Sequence, residues 1–261
     1  MRAGMVTEGP SLEGKRALVT GGGRGIGEAI ARALATAGAE VIVSGRRAGE
    51  LDAVAGAIGG RAVSADLGHA GGADALVDAC DAAGRIDILV NNAGVAEGAP
   101  LSRTDDAAWE RALAINATAP FRLCRALLPP MIEAGWGRVI NIASTAGLTG
   151  AAYTTAYCAS KHALVGLTRA LAAEVAKTGV TVNAICPGWV DTEMSERAIS
   201  RIASATGRDA ADARRTLEAM SPQDRMMEVE EIAHAVAMLC ADAAKGIHGQ
   251  ALVIDGGGVL R

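Results

Sequence analysis

A chain of 261 residues with a net charge of −4 and no basic run has room for one large domain or two small ones, and argues against a nucleic-acid surface. Half of its residues are hydrophobic but only 2% are aromatic, so the core is built from Ala, Val, Leu and Ile; no stretch of ~18 apolar residues is present to span a membrane. The five cysteines are odd in number, form no C-x-x-C pair and read as reduced, mostly buried thiols of a cytoplasmic protein, while the four histidines lack metal-ligand spacing, so no metal is expected.

Residues 1–13 contain no apolar segment of signal-peptide type and read as a loose arm ahead of one domain over 14–261. A short strand over 17–20 ends in Thr20 and runs into Gly21-Gly22-Gly23-Arg24-Gly25-Ile26-Gly27, followed by a helical pattern over 28–37. The strict G-x-G-x-x-G spacing is not met. A glycine turn between strand and helix is either a structural turn or a phosphate cradle, where backbone N–H groups at a helix N-terminus meet an anion. A second strand over 40–44 leads to Gly45-Arg46-Arg47 and a helix over 50–58. A third covers 61–64 and ends at Asp66-Leu67, a helix covers about 72–82, and a fourth strand over 86–90 ends in Asn91-Asn92-Ala93-Gly94. Short apolar strands alternating with ten-residue helices predict an α/β fold: a single-domain, Rossmann-type, doubly wound parallel sheet with helices on both faces.

The end of the second strand carries no carboxylate. An acidic side chain there would hydrogen-bond the ribose hydroxyls of NAD; Ser44-Gly45 followed by Arg46, with Arg24 in the glycine turn, suits a 2′-phosphate instead. The coenzyme expected is NADP(H) in preference to NAD(H).

A long helical pattern over 105–133 contains Asn116 and is expected to kink at Pro120. On its own Asn116 reads as a capping or core-bridging amide. An apolar strand over 139–142 precedes Ser144, and thirteen residues later Tyr157 stands four before Lys161, on one face of a helix. A phenol titrates near pH ~10, and lowering it by about three units with a neighbouring ammonium takes roughly 4 kcal/mol. A hydroxyl, a phenol and an ammonium at this spacing suit proton exchange with a substrate oxygen. A sixth strand over 180–185 runs into Pro187-Gly188, by itself a turn. The helical segment over 193–222 interrupts the alternation and is read as a substrate lid; its Arg214-Arg215 pair is either a solvated face or a contact for the phosphate of a carrier arm. A helix over 228–239 and a strand over 250–254 close the fold.

As a set, Thr20-G-x-x-x-G-x-G, Asn91-Asn-Ala-Gly94, Asn116, Ser144, Tyr157-x-x-x-Lys161 and Pro187-Gly188 resemble the short-chain dehydrogenase/reductase family over about residues 12–258. The resemblance implies catalytic Asn116, Ser144, Tyr157 and Lys161, with Tyr157 exchanging the proton, Lys161 binding the ribose and Asn116 holding a helix distortion in the proton relay. It implies cofactor contacts from Thr20, Gly21, Gly23, Arg24, Gly25, Ile26, Gly27, Gly45, Arg46, Arg47, Asp66, Leu67, Asn92, Ala93, Gly94, Tyr157, Lys161, Pro187, Gly188, Val190 and Thr192. Thr145, Leu148, Tyr153, Trp189 and Met194 are the expected substrate contacts. The run from Thr154 to Thr168 is similar to ketoacyl-thioester and polyketide ketoreductases, which implies a 3-oxoacyl-type ketone as substrate. The alternatives are an NAD-dependent secondary or cyclic alcohol dehydrogenase and a non-catalytic dinucleotide sensor; a sensor is expected to lack the tyrosine or the lysine. A homotetramer is the implied assembly.

Overall fold

The structure, a computed structural model, describes residues 11–81 and 83–259. In chain order its strands are β1 (Arg16–Thr20), β2 (Glu40–Gly45), β3 (Arg61–Ser64), β4 (Ile88–Asn91), β5 (Gly137–Ile142), β6 (Val180–Pro187) and β7 (Ala251–Ile254). They form one parallel sheet in the order β3-β2-β1-β4-β5-β6-β7. The order reverses between β1 and β4, so a crevice opens at the C-terminal ends of these two strands, where doubly wound sheets bind ligands.

The alternation of side chains along each strand assigns the two faces. Ala17 and Val19 of β1, Val41 and Val43 of β2, and Ile88 and Val90 of β4 point to one side. There they meet α1 (Gly25–Thr36), α2 (Ala48–Ile58) and α9 (Val229–Cys240) through Ile30, Leu34, Leu51, Ile232 and Val236. Leu18, Ile42 and Leu89 point to the other, against α3 (Gly72–Asp81), α5 (Ala119–Glu133) and α6 (Thr155–Val175) through Leu76, Leu123, Leu127 and Val175. Strands covered on both faces read as continuous apolar runs, which is why Ala17–Val19 of β1, Ile88–Val90 of β4 and Val139–Ile140 of β5 are apolar throughout.

Three expectations are corrected. The segment over 105–133 is not one helix bent at Pro120. It comprises α4 (Asp106–Leu113), a π-helical turn (Ala114–Thr118) and α5, so the change of helical pitch falls in the turn before Pro120, the second residue of α5. The loose arm does not extend to residue 13: Leu12 is 1% exposed in the core, and its N–H donates to Ala37 O at 2.7 Å. Residues 1–10 of that arm, and residue 82 at the expected end of α3, lie outside the described residues. The first long helix starts at Gly25, inside the glycine turn, three residues earlier than its apolar pattern suggests. The 193–222 segment folds as α7 (Glu193–Thr206), which lines the crevice through Glu193, Met194 and Ala198, and α8 (Ala210–Glu218).

Candidate active site

The β1–α1 turn is held by side chains that lie behind it. Thr20 Oγ1 accepts from the N–H groups of Asn92 and Ala93, both at 3.0 Å, and donates to Val90 O. Asn92 Nδ2 donates to Thr20 O at 2.9 Å and to Gly21 O at 3.1 Å. The turn is so tight that a Cβ on Gly27 would stand 2.1 Å from Gly21 O. Only glycine permits that approach. The turn leaves the N-terminus of α1 directed at the crevice, and Arg24 at its N-cap makes no side-chain cap, so the first N–H groups of the helix remain available to an anion.

A cavity of about 540 Å³ runs from this turn along the strand ends. Of the expected cofactor contacts, Gly21, Gly23, Arg24, Gly25, Ile26, Gly27, Gly45, Arg46, Arg47, Asp66, Leu67, Asn92, Ala93, Gly94, Pro187, Gly188, Val190 and Thr192 line it together with Tyr157 and Lys161. Thr20 does not; it fixes the wall from behind. Ser44 also lines the cavity, and its buried hydroxyl is without a partner among the described residues. A glycine-walled trough, a free helix N-terminus and an orphaned hydroxyl at the end of β2 fit a nicotinamide dinucleotide, with its pyrophosphate at the turn and its adenosine towards β2.

At the other end of the trough, Ser144 leaves β5 extended and caps the short 3-10 turn Thr145–Gly147, its Oγ accepting from Ala146 N at 3.1 Å. Tyr157 and Lys161 face it from α6. Burial raises the Tyr157 phenol above its ordinary value, and its hydrogen bond with Ser144 draws it back. The sequence reading has the ammonium lowering the phenol; here burial raises it instead, with Lys161 Nζ 5.8 Å from the ring centroid and bonded to Ile142 O at 2.7 Å. Lys161, 4% exposed, is itself lowered to about 8 by desolvation.

Asn116 stands in the π-turn, off the cavity wall. Its Oδ1 accepts from Val95 N, and its Nδ2 donates to Val95 O and to Ser160 Oγ, each at 2.9 Å. Ser160 Oγ in turn donates to Tyr157 O at 2.7 Å. A Cβ on Gly94 would lie 3.2 Å from Asn116 Oδ1 and 3.6 Å from Lys161 Nζ, so this amide, the end of β4 and the lysine meet at one glycine.

The expected substrate contacts divide. Thr145, Trp189 and Met194 line the cavity. Leu148 packs instead against the core around Leu164 and Val165. Tyr153, 68% exposed and at φ 64°, borders a neighbouring cavity of about 230 Å³ with Glu97, Arg103 and Arg111. Thr149, Ala151 and Thr154 take the wall positions near Tyr157. Arg214 bonds Asp191 at 3.0 Å and Glu196 at 2.5 Å, and Arg215 pairs with Asp212, so both guanidiniums are matched within the chain. The sequence reading also missed Glu50 and Glu193, acidic residues that line the cavity beside Arg24 and Arg47. Nothing in their local sequence signals it.

The short chain dehydrogenase family profile matches residues 15–202, and the chain belongs to this family. It is therefore an NAD(P)-dependent oxidoreductase acting on a small-molecule substrate. It is 38% identical over 259 residues to a D-beta-hydroxybutyrate dehydrogenase of Cupriavidus necator, covering 96% of this chain and 100% of the relative. To a 3-oxoacyl-(acyl-carrier-protein) reductase of Escherichia coli it is 36% identical over 250 residues, 95% of this chain and 98% of that one. The crystal structure of an actinorhodin polyketide ketoreductase variant with NADPH superposes with a TM-score of 0.89 at 36% identity, covering 94% of this chain and 97% of the other. Among the described residues no helix is long and apolar enough to cross a membrane.

Proposed function

We propose that the protein is an NADP(H)-dependent ketoreductase for a 3-oxoacyl-type substrate. The observation that carries the reading is the meeting of Ser144, Tyr157 and Lys161 at one end of a glycine-walled trough whose other end carries arginines and no strand-terminal carboxylate. The bound coenzyme supplies the hydride. Ser144 Oγ orients the substrate oxygen, and the Tyr157 hydroxyl donates the proton that oxygen needs as the carbonyl is reduced. Lys161 holds the ribose end of the trough and keeps positive charge near the phenol as it gives up its proton. Asn116 and Ser160 fix the backbone of α6 against the end of β4, so that Tyr157 is presented in one position.

Arg24 and Arg46 would receive the 2′-phosphate. α7 and α8 serve as the lid that excludes water over the nicotinamide end. The chain assembles as a homotetramer, as the resemblance implies. The similarity to D-beta-hydroxybutyrate dehydrogenase supports a second reading, oxidation of a 3-hydroxy acid by the same residues run in reverse. A panel of acetoacetyl thioesters, cyclic ketones and 3-hydroxy acids, followed by nicotinamide absorbance with both coenzymes, tests the two. Turnover confined to the hydroxy acids with NAD would overturn the first reading, and failure of the whole panel would overturn both.

A further inference from the structure

Two of the three arginines at the adenosine end of the trough, Arg24 and Arg47, are already engaged. Glu193, the first residue of α7, reaches back across the mouth of the cavity to an ion pair with Arg24 of the glycine turn. Its other carboxylate oxygen pairs with Arg197, and Arg47 Nη1 lies 3.9 Å from the oxygen that meets Arg24. Glu50 of α2 takes Arg47 at 2.5 Å and stands 3.9 Å from Arg24 Nε. Two carboxylates thus sit among the guanidiniums. Arg46 alone of the three arginines lining this end makes no ion pair among the described residues.

Resting on the NADP(H) reading, we infer that Glu193 is a specificity-determining residue, which sets coenzyme selectivity by competing with the 2′-phosphate for Arg24. A guanidinium fork bonded to a carboxylate cannot offer the same parallel donors to a phosphate, and a carboxylate left beside a dianionic phosphate repels it. A 2′-phosphorylated ligand must therefore move Glu193, whereas an unphosphorylated one need not. The backbone beneath Glu193 is fixed. Thr192 caps α7 by accepting from Ser195 N at 3.4 Å, and Ser195 Oγ donates to Val190 O at 2.6 Å. The exchange is accordingly made by the side chain of Glu193 swinging out, with its helix held in place. Because the carboxylate belongs to the lid and the guanidinium to the glycine turn, 2′-phosphate recognition also breaks the ion pair that joins the two.

The test is isothermal titration calorimetry of the full chain with adenosine 2′,5′-bisphosphate and with AMP, so that turnover plays no part. Glu193→Gln is expected to bind the bisphosphate about three- to tenfold more tightly, a range that discounts for the exposure of the pair, and AMP within about twofold of the unaltered chain. In an Arg24→Gln background the same change should gain less than about twofold, since the contested group has gone. An unchanged or weakened bisphosphate affinity, or an equal gain for both ligands, overturns the inference. If the unaltered chain binds the two ligands alike and Arg24→Gln changes neither, the NADP(H) reading falls, and the inference with it. If the chain discriminates and loses that through Arg24→Gln, while Glu193→Gln gives no gain, only the inference falls.

Discussion

Tyr157 and Lys161 are each pushed by burial towards their uncharged forms, the phenol upwards and the ammonium down to about 8. That suits a proton donor kept protonated until substrate arrives. Tyr157→Phe keeps the ring and removes the proton, so turnover is expected to fall by ~10²–10⁴, while coenzyme binding, followed by NADPH fluorescence, is retained. A variant within a few fold of the original activity would remove Tyr157 from the chemistry. The lysine makes a separate prediction. Its folded value lies below the unfolded 10.5, so between pH 8 and 10.5 the unfolded chain binds more protons, and the Lys161 contribution to stability rises with pH. Urea unfolding across that window should show the wild type gaining on Lys161→Met by of order 3 kcal/mol. A pH-independent gap would mean that the buried amine titrates normally.

At the scale of the element, α6 has two jobs. Its inner face buries Leu164, Val165, Thr168, Ala172 and Val175 against the sheet. The sequence pattern suggests apolar residues nearly all round; in the folded chain, Ala163, Gly166, Ala170 and Ala173 form an exposed stripe of small side chains. Phe121 and Ile132 of α5 are exposed as well. Small residues let helices of neighbouring chains approach closely, which is the physical ground for the proposed tetramer. Light scattering at micromolar concentration is expected to give the mass of four chains, and Ala170→Arg, which places a charge in the stripe, to give two. A monomer in the unaltered protein would refute the assembly. The π-turn before α5 is a feature of another kind. It turns the Asn116 amide onto both backbone groups of Val95, so a change of helical pitch is held by three hydrogen bonds at a buried position.

For the whole molecule, the reversal of strand order between β1 and β4 brings a glycine turn and the helix that carries Tyr157 and Lys161, far apart in the chain, onto one trough. Coenzyme choice is a property of that trough's far end. kcat/KM on one ketone is expected to favour NADPH over NADH, and Arg46→Ala to lower the NADPH value selectively, since a charge-assisted bond of ~1.5–3 kcal/mol is lost. A preference for NADH, or an alanine variant with unchanged NADPH efficiency, would contradict this reading of the end of β2. α7, the glycine turn and α2 are coupled there by the carboxylates of Glu193 and Glu50, so the expected preference reflects a balance among charges and not Arg46 alone.

Local pattern carried much of this into view. Continuous apolar runs mark strands buried on both faces, and the glycine turn and the Tyr157/Lys161 spacing are local consequences of a tight backbone and a helical repeat, so the fold and the groups proposed to react were readable from the chain. What side chains meet across the sheet was not. Thr20, at the end of β1, and Asn116, in the π-turn, carry motif positions yet stand behind the wall, because a buried polar side chain is first claimed by nearby unpaired backbone donors and acceptors. Leu148 turns into the core, and Leu12 leaves the expected arm for it, since an apolar side chain within reach of a core gains free energy by burial. The pairing of Arg24 with Glu193 spans 169 positions of sequence (193 − 24) and has no periodicity to announce it; only the closing of α7 over the β1–α1 turn decided which charge that arginine would meet.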